Sequence, residues 1–212
     1  MADRKVLVLG ATGGTGQQVV AEALRRGFSV TAFVRDPSRL EIKSDRLNVQ
    51  IGELTGDEAP LAFAMHGQIS VVSALGVGKS FKSGGFIEQV VSRIVRCMDA
   101  ASVRRLVFTS AFGVGETWRD APMIPRLFMR TLLRDVYRDK AAGEAEIRRS
   151  RLDWTIVYPT GLTNHPATGS FRVGERLALR GFPAISRGDL ASFLVDQIED
   201  MAHVRKGVLV SS

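Results

Sequence analysis

The chain has 212 residues, enough for one α/β domain that buries most of its apolar surface in a single core. With 45% hydrophobic and 24% charged residues it has the composition of an ordinary globular protein, and its single cysteine, Cys97, excludes an intrachain disulfide scaffold. The formal net charge of +7 raises the question of nucleic acid, but the arginines are scattered and come with no zinc-finger spacing, basic helix or aromatic ribonucleoprotein motif; no nucleic-acid partner is expected. Apolar stretches are interrupted well short of the roughly 20 residues of a membrane-spanning helix. Met1 leads through Asp3, Arg4 and Lys5 straight into an apolar strand without a signal-peptide pattern. A cytoplasmic protein is expected.

In chain order, Lys5–Gly10 is an apolar, β-branched-rich run that predicts a strand buried on both faces, and Gln17–Arg26 carries Val19, Val20, Ala23 and Leu24 at helical spacing before the stop at Gly27. Phe28–Val34 and Leu47–Ile51 predict the second and third strands. Asp57–His66 follows as a helix, Ile69–Leu75 as a fourth strand, Phe86–Ala101 as a long helix and Arg104–Ser110 as a fifth strand. Alternation over this length implies a Rossmann-type, doubly wound, mostly parallel sheet in an α/β single domain spanning 1–212, with its ligand beyond the strand carboxyl ends. The pattern weakens over 111–136, a segment that contains Trp118, Met123 and Phe128 and is expected to form a flap or partner surface. A helix over Tyr137–Ser150 and a sixth strand over Leu152–Tyr158 come next. Residues 159–185 are expected to be irregular substrate-side loops, followed by an amphipathic helix over Ser186–Met201 and a short strand at Gly207–Val210.

The first strand and helix are joined by Gly10-Ala11-Thr12-Gly13-Gly14-Thr15-Gly16, whose glycines at first, fourth and seventh positions permit a tight turn, close approach of a pyrophosphate to backbone N–H groups, and close helix packing. Strand before and helix after are the context that makes this a dinucleotide loop. At the end of the second strand, NAD-binding proteins place an Asp or Glu for the ribose hydroxyls; here Arg35 stands, with Arg39 four residues on. Arginine suits a 2′-phosphate, so NADP(H) is the expected cofactor, with Asp36 leaving room for some use of NADH.

The loop Gly10–Gly16, Val34-Arg35-Asp36-Pro37, Gly52-Glu53-Leu54, Val107-Phe108-Thr109-Ser110-Ala111-Phe112 and Leu152-Asp153-Trp154-Thr155-Ile156-Val157-Tyr158-Pro159 together resemble the atypical short-chain dehydrogenase/reductases. The likeness runs to the flavin reductase/biliverdin IXβ reductase group and, next to it, the NmrA-like proteins. The resemblance implies that Gly10, Thr12, Gly13, Gly14 and Thr15 hold the pyrophosphate, Arg35 and Arg39 the 2′-phosphate, Glu53 and Leu54 the adenine, and Leu75 and Gly76 the adjoining ribose. It also implies that Phe108, Thr109, Ser110, Pro159, Thr160 and Gly161 border the nicotinamide. Two positions depart from the family's pattern: Glu53 stands where Asp is usual, and Tyr158 where Arg is frequent, which alters the expected substrate wall.

Classical short-chain dehydrogenases use a Tyr-x-x-x-Lys pair as proton donor. Tyr137-Arg138-Asp139-Lys140 is one residue too short for that motif, so Tyr137 is either a general acid or a packing tyrosine, and Lys140 either a stabiliser of charge on the acceptor or a surface lysine. Ser110, at the carboxyl end of the fifth strand, is the residue expected to orient the acceptor or nicotinamide. His66, His165 and His203 lack metal-ligand spacing, and no metal is expected; Cys97 is expected to be a buried, inert thiol. The reaction class is an NADPH-dependent reduction of a flat conjugated acceptor such as flavin, linear tetrapyrrole or quinone. The alternative is a non-catalytic NADP sensor of NmrA-like type. A monomer or weak homo-oligomer acting on a small-molecule acceptor is expected.

Overall fold

The computed structural model describes residues 4–76, 84–115, 117, 134–179 and 181–212. Ten strands and five α-helices lie among them: β1 (Lys5–Leu9), α1 (Gly14–Arg25), β2 (Ser29–Val34), β3 (Leu47–Ile51), α2 (Ala59–Met65), β4 (Ser70–Ser73), α3 (Phe86–Ala100), β5 (Arg105–Thr109), α4 (Arg134–Arg149), β6 (Asp153–Pro159), β7 (Gly161–Thr163), β8 (Arg172–Gly174), β9 (Ala184–Ser186), α5 (Arg187–Asp196) and β10 (Lys206–Ser211). The main sheet has the order β3-β2-β1-β4-β5-β6-β10-β8. Its strands are parallel up to β10, against which β8 runs antiparallel, and β7 pairs with β9 in a separate two-stranded sheet.

One apolar layer, between the sheet and helices α2, α3 and α4, holds Leu7, Leu9, Leu106, Phe108, Ile156 and Tyr158; the other, between the sheet and helices α1 and α5, holds Val6, Val8, Val107, Val157 and Val208. Strand alternation thus loads both faces, as a parallel sheet requires. The order reverses between β1 and β4, and that reversal opens the crevice in which doubly wound sheets bind ligands.

Several boundaries differ from the sequence-based expectation for local reasons. Helix α1 begins at Gly14, because the loop glycines themselves form its first turn. The irregular stretch 159–185 contains β7, β8 and the start of β9, each only three residues long and too short to show periodicity. The last helix ends at Asp196 instead of Met201 and is not amphipathic in the expected sense. Leu190, Ala191, Phe193, Leu194 and Val195 are all buried, since α5 packs against both the sheet and α1. The expected flap falls mostly outside the described residues, Trp118, Met123 and Phe128 included.

At the amino-terminal edge of the sheet the buried Arg105 ties the layers together. Its Nε donates to the Gln197 carbonyl at 2.8 Å, Nη1 to the Asp153 carbonyl at 2.7 Å and Nη2 to Thr155 Oγ1 at 2.9 Å. Burial pushes its pKa down to about 10, so it remains a cation at neutral pH. This end of the sheet is structural. The chemistry-bearing residues gather at the opposite edge.

Candidate dinucleotide and acceptor site

A cleft of about 460 Å³ opens at the switch point, lined by Gly10, Thr12, Gly13, Arg35, Arg39, Glu53, Leu54, Leu75 and Gly76 together with Phe33, Ala74 and Phe86. Nine residues named from the sequence therefore meet in one place. The three motif glycines do different work. Gly10 has φ +78°, and a Cβ there would lie 2.8 Å from the Ala74 carbonyl oxygen, so the turn and its approach to β4 both need glycine. At Gly16 a Cβ would lie 2.0 Å from the Gly10 oxygen; this glycine lets the helix sit against its own loop. Gly13 is different: its φ is −78°, it is exposed, and an added Cβ would meet only the Gly10 oxygen, at 3.3 Å. It keeps the cleft open instead of holding the turn.

No side chain caps the amino terminus of α1. Its first-turn N–H groups are left for an anion, and the helix dipole favours one there. Arg187, at the start of α5, reaches across this end, its Nε 2.9 Å from where a Gly14 Cβ would stand, while its Nη1 donates to Asn164 Oδ1 at 2.8 Å. Sequence reasoning missed Arg187, because only the docking of α5 on α1 brings it there. Along the edge toward β5, Thr109 Oγ1 is buried with no hydrogen-bond partner among the described residues, on the same sheet face as Val107 and α1. An uncapped helix end and two exposed guanidinium groups, beside a glycine that leaves the cleft open, form a donor set that fits a nicotinamide dinucleotide.

The remaining expected residues are distributed unevenly. Thr15 is buried in the first turn of α1. Phe108 is fully buried in the layer beneath α3 and α4, so its side chain is closed to a ligand. Pro159 ends β6, Thr160 Oγ1 lies 3.2 Å from Ser211 Oγ, and Gly161 is exposed with the Pro183 carbonyl oxygen 3.2 Å from where its Cβ would be.

Ser110 follows β5 and is 5% exposed. Its hydroxyl donates to Glu144 Oε1 at 2.5 Å, and the Tyr158 hydroxyl donates to Glu144 Oε2 at 2.7 Å. Arg148 Nη2 in turn donates to the Tyr158 oxygen at 3.2 Å. Glu144 is 2% exposed, and the bare Cα of Gly115 makes room for it: a Cβ there would stand 2.7 Å from Oε2. Burial raises the Glu144 pKa against the opposing pull of the Ser110 and Tyr158 hydrogen bonds and of the Arg148 and Lys140 charges. Tyr158 is therefore not part of an open substrate wall, as its departure from the family pattern suggested. It is a core tyrosine that fixes a carboxyl group.

Lys140 is not a surface lysine either. It is buried one turn before Glu144, and desolvation lowers its pKa to about 8 despite the nearby Glu144 and Asp139 carboxyl groups. Asp139 closes the amino terminus of α3, accepting from the N–H groups of Ile87 and Glu88 at 2.9 Å each, a cap supplied from the neighbouring helix because Gly85 has no side chain to offer. Tyr137 donates to the Phe112 carbonyl at 3.0 Å, and burial raises its pKa. Cys97 is 3% exposed with its thiol pushed up to about 11, chiefly by burial. Among the described residues no three or more His, Cys, Asp or Glu side chains gather as a metal site, and no helix is long and apolar enough to cross a membrane.

Residues 10–201 match the model of a family described as NAD(P)H-binding. The chain belongs to that family. An uncharacterized chloroplastic protein of Arabidopsis thaliana is 33% identical over 181 residues, 79% of this chain and 62% of the plant protein, so the likeness spans less than two thirds of that relative's length. A short-chain dehydrogenase/reductase from Veillonella parvula, solved in complex with NADP, superposes with a TM-score of 0.84 at 19% identity, covering 99% of this chain and 94% of the other. ChuY of Escherichia coli O157:H7, described as an anaerobilin reductase, does so with a TM-score of 0.80 at 20% identity, covering 97% and 96%. The fold is thus that of the short-chain dehydrogenase/reductases, in agreement with the resemblance to their atypical members. A nicotinamide dinucleotide is the family's cofactor.

Proposed function

We propose that this protein is an NADPH-dependent reductase of a flat conjugated acceptor, a flavin, linear tetrapyrrole or quinone. The observation that carries the reading is the cleft at the switch point, with Arg35 and Arg39 on its wall and Ser110 at the end of the neighbouring β5. Asp36 does not compete for the ribose. Its Oδ1 accepts from the N–H of Ser38 at 3.0 Å and from the Ser38 hydroxyl at 2.6 Å, which lowers its pKa and commits it to the turn that carries Arg39. The two guanidinium groups are then the natural partners of a 2′-phosphate.

Bound NADPH supplies a hydride. The chain's own part is to hold the diphosphate at the first turn of α1, the 2′-phosphate at Arg35 and Arg39, and the acceptor against Ser110. Tyr137 has its proton committed to the Phe112 carbonyl, so the tyrosine-acid chemistry of a carbonyl reductase has no support here. Conjugated acceptors demand less of a strong acid, and the ChuY likeness runs in the same direction. The committed Tyr137 also favours the second reading, a regulator that senses NADP without turnover. Stopped-flow absorbance of NADPH mixed with the protein and a panel of flavins, biliverdins, quinones and aldehydes separates the two. Oxidation by at least one conjugated acceptor above the protein-free rate is expected, whereas no consumption across the panel would transfer the reading to the sensor.

A further inference from the structure

Resting on the reductase reading, we infer that Glu144 is a positioning residue that stores the reaction's proton and passes it to the acceptor through Ser110. The geometry leaves Ser110 two states. While Glu144 is ionised, the Ser110 hydroxyl proton is committed to Oε1 and its oxygen can only accept from a ligand. Once Glu144 is protonated, the carboxylic acid can donate to Ser110 Oγ, and the serine proton is free to point at the acceptor. One buried carboxyl therefore decides whether the site offers a donor or an acceptor.

Enclosure raises the Glu144 pKa and so works toward the protonated state, while its polar and charged neighbours pull the other way. Glu144 is almost completely enclosed. Among the described residues the groups facing it are Lys140 and Arg148 on its own helix, Ser110 after β5 and Tyr158 on β6. Arg148 also acts on the Tyr158 oxygen, and Lys140 shares its charge between Glu144 and Asp139. The balance of the step is simple. The Ser110 O–H bond breaks as its proton goes to the acceptor heteroatom, the Glu144 O–H bond breaks as its proton replaces that of Ser110, and a carboxylate remains that water reprotonates. The electrons are those of the hydride from the reduced dinucleotide.

Infrared titration of the cofactor-free protein reads the carboxyl directly, beside the pH profile of NADPH oxidation with free flavin. The expected result is a protonated-carboxyl band that persists above the usual glutamate range and is missing in Glu144→Gln, with turnover falling as the band is lost. Glu144→Gln keeps a donor toward Ser110 and an acceptor toward Tyr158 but holds no transferable proton; its rate should be about tenfold lower and lack the alkaline fall. Tyr158→Phe removes a hydrogen bond that favours the carboxylate, and should move both the band and the alkaline fall to higher pH. A band that titrates in the ordinary glutamate range alongside normal turnover overturns the relay alone, as does an unmoved profile in both variants. Absence of turnover with every acceptor, the band still titrating high, overturns the relay together with the reductase reading.

Discussion

Around β1 and β2 the site is made of main chain and exposed side chains: loop N–H groups, the bare Gly13 and the guanidinium groups of Arg35 and Arg39. Around β5 and β6 it is made of enclosed polar side chains, Ser110, Glu144, Tyr158 and Lys140, each buried. The first half resembles a mould waiting for phosphate, open and held by backbone. The second is already satisfied internally, with each buried polar atom of the Ser110–Glu144–Tyr158 chain given to a neighbour. Substitution in the first half should therefore change what binds while leaving stability nearly untouched. In the second half it should change rate, pH dependence and stability together.

The largest effect should come from filling the mould. Gly13→Val places a branched side chain in the cleft at a φ that valine tolerates, so the fold should persist by circular dichroism while NADPH affinity drops by roughly 100-fold or more in a calorimetric titration. Unchanged affinity would make the loop a mere turn and erase the contrast between the halves. Next is Ser110→Ala, which should slow the hydride step about five- to thirty-fold, the equivalent of about 1–2 kcal/mol, with little change in NADPH affinity. Tyr137→Phe, which loses only the bond to the Phe112 carbonyl, should leave turnover within about twofold. The reverse ranking in single-turnover kinetics would restore a tyrosine acid.

A further effect is on stability. Lys140 has a folded-state pKa of about 8 against its ordinary 10.5, so between those values the unfolded chain binds more protons and stability rises with pH. Lys140→Met should abolish that rise, because no amine is left to titrate between those values. Thermal unfolding from pH 7 to 10 checks it, and an alkaline rise that survives the substitution would contradict the burial cost assigned to this amine.

The same contrast explains what the sequence made legible. Gly10–Gly16 and Arg35 announce themselves because their partners lie within one strand-loop-helix unit, and spacing along the chain is spacing in space. Ser110 was proposed from its place at a strand end. Glu144 carried no such signal: its partners stand 34 and 14 positions away, and only the packing of α4 against α3, at Gly143 beside Ile87 and Val91, turns it inward. Phe108 was expected at the nicotinamide, but strand alternation places it with Leu106 under the helices, while Thr109 faces the α1 side. Lys140 could be read as a surface lysine because that residue type is commonly exposed, and Tyr158 as part of the substrate wall; nothing in their immediate neighbours marks a buried polar chain.

The central claim is that the open half of the cleft selects a 2′-phosphorylated nicotinamide dinucleotide, and parallel calorimetric titrations with NADPH and NADH test it most directly. Charge-assisted bonds from Arg35 worth about 1.5–3 kcal/mol predict NADPH binding tighter by roughly 10- to 150-fold, and Arg35→Ala should erase most of that gap without weakening NADH. Equal affinities in the unmodified protein would contradict the account.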